Sequence, residues 1–124
     1  MDANAALTVD LLRAPEAPGL ARRRLTRSFG DALDERQLRT ATLLTSELVT
    51  NALLHGEGAI TLLASLDADR LLVEVIDEGR AIPTPRTEHG PDGIGGYGLM
   101  IVESEASRWG TQTGTTHVWF ELER

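Results

Sequence analysis

Four short stretches of the chain are rich in apolar positions and bounded by turn residues, which predicts strands, and the last of them alternates between hydrophobic and polar positions. The second and third stretches are separated by Asp67, Ala68 and Asp69, which predicts a hairpin. The predicted strands cover residues 6–13, 59–66, 70–77 and 116–123.

Helical periodicity predicts a basic helix over 17–29, a longer helix from Asp34 to His55 and a third helix over about 98–108. Asp34 is a suitable N-cap for the second helix, and Gly56 is a suitable stop. The residues that this helix is expected to contribute to the core are Leu43, Leu44, Leu48, Ala52 and Leu53.

The order of these elements predicts a two-layer α/β sandwich, with helices on one face of a mostly antiparallel sheet. Residues 79–96 are rich in proline and lack a hydrophobic period, so we expect a long loop there. With 124 residues the chain is sized for one domain, which we expect to span 1–124.

Charge and composition exclude several classes of function. Nineteen acidic and twelve basic residues give a formal charge of -7, which argues against a broad surface for nucleic acid or for anionic membranes. The chain has no cysteine and therefore no disulfide or thiolate metal site. It also lacks the roughly 18 to 20 consecutive apolar residues of a membrane span, and its acidic start is unlike a signal peptide. We expect a cytoplasmic protein without a direct nucleic-acid or membrane partner.

A row of polar residues interrupts the second predicted helix, where Glu47, Asn51 and His55 follow one another at four-residue spacing. Residues at this spacing share one face of a helix, each about 6 Å from the next. The spacing alone favours a solvent-facing polar stripe. The same arrangement also suits a site in which Asn51 binds hydrated Mg²⁺ and Glu47 acts as a general base.

Two further features are weak signals by themselves. Asp77 and Gly79 end the third strand, where a carboxylate can accept a hydrogen bond from an amine and a glycine admits a flat ring. The stretch GIGGYG, at 93–98, opens a helix and suits a phosphate, because helix starts present free N–H groups. A dinucleotide fingerprint would follow a strand rather than a loop, and the Walker pattern needs a lysine, which this chain lacks.

Taken in order, the stretches ELVTNALLH, VIDEG, GGYGLMIV and GTTHVWF resemble the four nucleotide-binding boxes of the GHKL ATPase superfamily. Within it the chain is most similar to the small bacterial anti-sigma factor serine kinases. The resemblance covers about residues 6–123 and implies a Bergerat-type ATP-binding fold, with ATP and Mg²⁺ as cofactors.

The resemblance also implies roles for individual residues. Glu47 would be the general base and Asn51 the Mg²⁺ ligand, and His55 would lie beside them. Asp77 would accept the adenine amino group, with Gly79 beneath the ring. A lid over about 82–96 would end at the phosphates, and Ala81 stands where the family often has glycine. The residues implied near the phosphates are Gly95, Gly96, Gly98 and Leu99, and Thr115 is implied near the adenine.

The function implied is that of a serine protein kinase acting as an anti-sigma factor or related partner-switching regulator. Its partner would be an anti-anti-sigma factor or a sigma factor, and a homodimer is possible. The alternative is a non-catalytic ATP-binding module that sequesters a regulatory partner. An ATP-hydrolysing fragment like that of gyrase fits less well, since such enzymes need a transducer domain.

A run of arginines lies on the first predicted helix of this acidic chain. Two interpretations have equal weight. The arginines form a solvated face that pairs with nearby acidic residues, or they form a docking surface for an acidic partner. The run consists of Arg22, Arg23, Arg24 and Arg27.

Overall fold

The computed structural model describes residues 5–79, 97–111 and 117–124, and for 97–100 it describes the backbone alone. Within these ranges the chain forms three helices and five strands. They are β1 (Ala5–Leu11), α1 (Ala17–Phe29), α2 (Glu35–His55), β2 (Ile60–Leu66), β3 (Arg70–Ile76), α3 (Tyr97–Glu105), β4 (Arg108–Thr111) and β5 (Val118–Glu123).

The strands form one antiparallel sheet in the order β1-β2-β3-β5-β4. The predicted hairpin is present as β2 and β3, and β5 lies between β3 and β4. α1 and α2 pack on each other and on the sheet, while α3 packs on α2 and β4. The predicted two-layer α/β sandwich is confirmed.

The core lies between the helices and one face of the sheet. Because successive side chains of a strand point to opposite faces, every second residue of each long strand is buried. The register carries the buried row across the sheet, since Leu62 is opposite Val75, and Val73 is opposite Phe120. Burying each such side chain contributes about 1.5 to 3 kcal/mol relative to leaving it exposed.

A capping box fixes the start of α2. Asp34 Oδ1 accepts a hydrogen bond from the Gln37 backbone N–H at 2.7 Å, and Gln37 Oε1 accepts one from the Asp34 N–H at 2.9 Å. Two N–H groups without partners inside the helix are thereby satisfied. The prediction of Asp34 as N-cap is confirmed, and α2 ends at His55 as expected.

The structure corrects the predicted fold at the end of the chain. α3 ends at Glu105, and Arg108–Thr111 forms β4, a strand that the sequence analysis did not predict. Four residues are too few to show alternation, and the hydrogen bonds that stabilise β4 come from its pairing with β5. Of the expected loop over 79–96, all but Gly79 lies outside the described residues.

The burial of α2 corrects one core prediction. Leu44, Leu48 and Ala52 are buried as expected, and Leu53 is half-buried. Leu43, however, is 43% exposed, because it lies on the outer side of the helix. None of the helices in the described ranges is long and apolar enough to cross a membrane.

Candidate functional site

The polar face of α2 carries Glu47, Asn51 and His55, spaced one helical turn apart. Glu47 and Asn51 are half-buried, whereas His55, at the end of the helix, is exposed. Neither Glu47 nor Asn51 forms a side-chain hydrogen bond or ion pair with residues in the described ranges. Their polar atoms can therefore bind a ligand without first breaking such a bond.

Asp77 follows β3 directly and is 6% exposed. Its Oδ1 accepts a hydrogen bond from the Gly79 N–H at 2.6 Å, and the Glu57 N–H lies 3.5 Å away. Gly79 is buried beside it. These contacts fix the orientation of the Asp77 carboxylate at the end of β3.

The segment that joins α2 to β2, residues 56–59, is here called the connector. Glycine is needed at two of its positions, because the backbone there lies very close to the residues that follow β3. A Cβ at Gly56 would overlap Asp77 Oδ2, and a Cβ at Gly58 would overlap Glu78 Oε1. Gly58 also has a φ of 67°, a left-handed backbone conformation that residues with a side chain rarely adopt. The connector therefore packs directly on the Asp77–Glu78 pair.

Two hydrogen bonds join the connector to Glu78. The Glu78 N–H donates to the Glu57 carbonyl at 2.8 Å, and Glu78 Oε1 accepts from the Ala59 N–H at 2.8 Å. Since the connector continues α2, these bonds link the helix that carries Asn51 to the strand end that carries Asp77. Neither Gly58 nor this role of Glu78 was predicted, although the pattern GEG after a helix was a signal for a close backbone approach.

Arg13 joins the connector to the last turn of α2 by hydrogen bonds. Its Nε donates to the Gly58 carbonyl at 2.9 Å, and its Nη1 donates to the carbonyls of Ala52 and Leu53 at 2.8 and 3.0 Å. A positive charge at the C-terminal end of a helix is also favourable to the helix dipole. Arg13 stands at the end of the first predicted strand, and no local pattern in the sequence predicts this role.

The remaining predicted site residues belong to the second half of the chain. Gly95, Gly96 and Thr115 lie outside the described residues, as does the predicted lid over 82–96. Gly98 and Leu99 lie in the first turn of α3, which begins one residue before its predicted start. A phosphate site at this helix start remains a prediction.

The arginine run of α1 forms a second notable surface. None of Arg22, Arg23, Arg24 and Arg27 has an ion pair with the residues that the structure describes. Arg22 instead donates from Nη1 to Ser46 Oγ at 2.7 Å. Pairing with local acids is thus not seen in the described ranges. An open groove of about 520 Å³ lies between this arginine run and α2, and it is lined by Arg22, Arg39, Thr40, Thr42, Leu43 and Ser46.

Comparison with known proteins gives one family and one fold. The family model described as "histidine kinase-like ATPase domain" matches residues 13–121. The crystal structure of the RsbU and RsbW domains of Rv1364c from Mycobacterium tuberculosis has the same fold, with a TM-score of 0.72 and 20% sequence identity. The match covers 97% of this chain and 31% of that chain, so this protein spans about a third of its length. No curated protein sequence matches significantly.

Proposed function

The chain belongs to the histidine kinase-like ATPase domain family, and on this basis we propose that it binds ATP with Mg²⁺ and phosphorylates a serine or threonine of a protein partner. The observation that carries this proposal is that the polar face of α2 is joined to the buried carboxylate of Asp77. Asn51 and Glu47 share a face of α2, and the connector joins that helix to the buried carboxylate of Asp77.

In this proposal Asp77 and Gly79 recognise the adenine. A buried carboxylate held by the Gly79 N–H is a fixed hydrogen-bond acceptor, and it suits the exocyclic amine of adenine. Gly79 has no side chain, so a planar ring can lie against its backbone. The phosphates would then extend toward α2 and the start of α3, where Gly98 and Leu99 lie in the first turn.

Asn51 fits the role of Mg²⁺ ligand. Magnesium prefers oxygen ligands and keeps several waters, so one amide oxygen and the nucleotide phosphates suffice. No group of three or more His, Asp or Glu side chains in the described ranges is arranged as a metal cage. The donor set therefore suits a metal ion that arrives with a nucleotide. When bound, Mg²⁺ would neutralise negative charge on the phosphates.

Glu47 would take the proton of the acceptor hydroxyl. It lies about 6 Å from Asn51 along the helix, which places it beside the phosphates that Asn51 would help to hold. The hydroxyl proton passes to the Glu47 carboxylate, the hydroxyl oxygen bonds to the γ-phosphorus, and the bond from that phosphorus to the ADP oxygen breaks. The partner gains about -1.5 to -2 charge at neutral pH.

The α1 arginine face supports a partner of acidic character. Four arginines on an acidic protein, without ion pairs in the described ranges, are complementary to an acidic surface. We propose an anti-anti-sigma factor or a sigma factor as the partner class, on the family resemblance. The same resemblance supports a homodimer and a cytoplasmic location.

A second candidate is a non-catalytic module that binds ATP and sequesters its partner. The exposed Leu43 favours it, since an apolar side chain that lines a charged groove suits protein contacts without chemistry. The two candidates differ in what happens to the γ-phosphate. Transfer of label from ATP to the partner supports the kinase, and nucleotide-dependent binding without transfer supports the module.

The first test is a calorimetric titration of the purified protein with ATP and Mg²⁺. Saturable binding that is lost on chelating the metal supports the site. Absence of binding at millimolar ATP contradicts both candidates, since each depends on nucleotide. Asp77→Asn serves as the matched variant, because it removes one acceptor oxygen at nearly constant volume. It should weaken ATP binding without a comparable change in melting temperature.

A further inference from the structure

We propose that Arg13 is a positioning residue for nucleotide binding, which holds the end of α2 and the connector against Asp77. The inference rests on the proposed function. The side chain of Arg13 donates to backbone carbonyls of α2 and of the connector, and it therefore acts through the backbone. Its effect is therefore on the arrangement of the site and not on direct contact with a ligand.

The hydrogen bonds of Arg13 converge on the junction between helix and connector. The Ala52 carbonyl accepts both the Gly56 N–H at 2.9 Å and Arg13 Nη1 at 2.8 Å, one residue after Asn51. The Gly58 carbonyl accepts from Nε at the other end of the connector. One guanidinium thus holds the last turn of α2 and the left-handed residue of the connector at the same time.

The connector passes this restraint on to the residues that follow β3. Gly56 touches the Asp77 carboxylate, and the Glu57 carbonyl and Ala59 N–H are both bonded to Glu78. A shift of the connector away from Arg13 would stretch these bonds and release the neighbour that confines Asp77. Arg13 therefore affects the spacing between Asn51 and Asp77, which a nucleotide must span.

A lysine cannot make the same set of contacts. Arg13 uses two nitrogens of one rigid, planar group to reach three carbonyls on two segments. A lysine ammonium keeps the charge but is a single donor atom at the end of a flexible stem. Arg13→Lys should therefore retain part of the nucleotide affinity of wild type, and Arg13→Gln should retain less.

The chain provides a matched control in Arg124. This arginine also bonds two backbone carbonyls on separate segments, those of Asp67 and Ala32, each at 2.7 Å. These carbonyls belong to the β2–β3 turn and to the residues between α1 and α2, and not to the connector. Arg124→Gln removes a comparable clamp from a part of the fold that carries none of the proposed site residues.

The experiment compares ADP–Mg²⁺ affinity and backbone amide exchange in four proteins: wild type, Arg13→Gln, Arg13→Lys and Arg124→Gln. Arg13→Gln should lower ADP affinity about tenfold, with Arg13→Lys in between and Arg124→Gln within about twofold of wild type. Without nucleotide, Arg13→Gln should speed hydrogen exchange at residues 57–59 and at Glu78. Arg124→Gln should leave exchange there unchanged.

The outcomes separate this inference from the function on which it rests. If wild type binds ADP and Arg13→Gln binds it equally well, the positioning role is overturned and the proposed function stands. Unchanged exchange at the connector overturns the restraint itself, without any nucleotide present. If wild type does not bind ADP, the proposed function is overturned and the role of Arg13 in it as well. If Arg13→Gln does not fold, the comparison of Arg13→Lys with Arg124→Gln in the same two measurements decides whether Arg13 has the positioning role.

Discussion

Glu47 carries the proton transfer of the proposed reaction, so its removal should separate chemistry from binding. In Glu47→Ala, phosphate transfer to the partner should fall by about 10²- to 10⁴-fold, the usual contribution of a general base. ATP affinity should stay near that of wild type. Transfer of label from ATP and calorimetry measure the two effects. Glu35→Ala is the control, because Glu35 is exposed at the start of the same helix; equal losses in both variants would contradict the role of Glu47.

Gly58 has a backbone conformation that residues with a side chain rarely adopt. Gly58→Ala places a methyl group at a φ of 67° and against Glu78 Oε1, so it should destabilise the protein by about 1 kcal/mol or more. Gly19→Ala is the control, because Gly19 lies in α1 with ordinary contact distances around it. That change should be neutral or stabilising. Urea unfolding measures both, and equal stability of the two variants would show that the connector has another conformation in solution.

Asp67 gives the β2–β3 turn a dependence on pH. Hydrogen bonds from the backbone N–H of Asp69 and of Arg70 lower the pKa of Asp67 below its usual value of 3.8. A carboxylate whose pKa is lower in the folded state stabilises the fold above its unfolded pKa, and the effect is lost as the pH falls through the folded pKa. Between pH 5 and pH 3, wild type should therefore lose more of its free energy of unfolding than Asp67→Asn. Thermal unfolding across this range tests it, and parallel curves would exclude the effect.

The proposed site residues stand in local sequence patterns, whereas the long-range hydrogen bonds of Arg13 do not. Helical spacing placed Glu47 and Asn51 on one face, and the end of an apolar run marked Asp77. These are local signals. The contacts of Arg13 reach residues 39 to 45 positions away, and no local pattern encodes them. Local patterns therefore suffice to propose Glu47, Asn51 and Asp77 as site residues, but they do not reveal the hydrogen bonds of Arg13.

At the scale of the elements, α2 depends on its capping box for a defined start. Asp34→Ala removes the acceptor of the Gln37 N–H, so the free energy of unfolding should fall by about 0.5 to 2 kcal/mol. Glu47 lies about three turns further along, so ATP affinity should be unaffected. Asp31→Ala is the control, since Asp31 is exposed and outside the helix. Equal stability of Asp34→Ala and wild type in urea would contradict the cap.

The elements that the sequence predicted are those whose signals are local. α1 and α2 have clear periods, and α2 also has a cap and a glycine stop, so their bounds agree closely with prediction. β4 is four residues long and stabilised by β5, so its formation depends on a partner strand. The exposure of Leu43 likewise depends on how α1 and α2 pack, because a helical period fixes a face only to within a residue.

For the whole molecule, variants of the α1 arginines test whether this surface stabilises the fold or is free to bind a partner. Arg23→Ala and Arg27→Ala should change the free energy of unfolding by less than about 0.5 kcal/mol, because neither side chain is paired in the described ranges. Arg70→Ala is the control, because it removes an ion pair between neighbouring strands, in which Arg70 Nη1 lies 3.3 Å from Glu121 Oε1, and should lower the free energy of unfolding. Its effect should shrink in high salt. A salt-sensitive loss in the α1 variants would show that the face stabilises this chain itself.

The place of β5 in the sheet determines how the molecule must assemble during synthesis. Among the described strands, β5 lies between β3 and β4 although it follows both in the sequence, so its pairing with either strand must wait until residues 118–123 have left the ribosome. β1 must also wait for β2, which is separated from it by two helices. Antiparallel pairing across such long segments folds slowly. Until β5 has been synthesised, β3, the strand that leads to Asp77, has only β2 beside it among the described strands, and an unpaired strand edge is prone to strand-to-strand association.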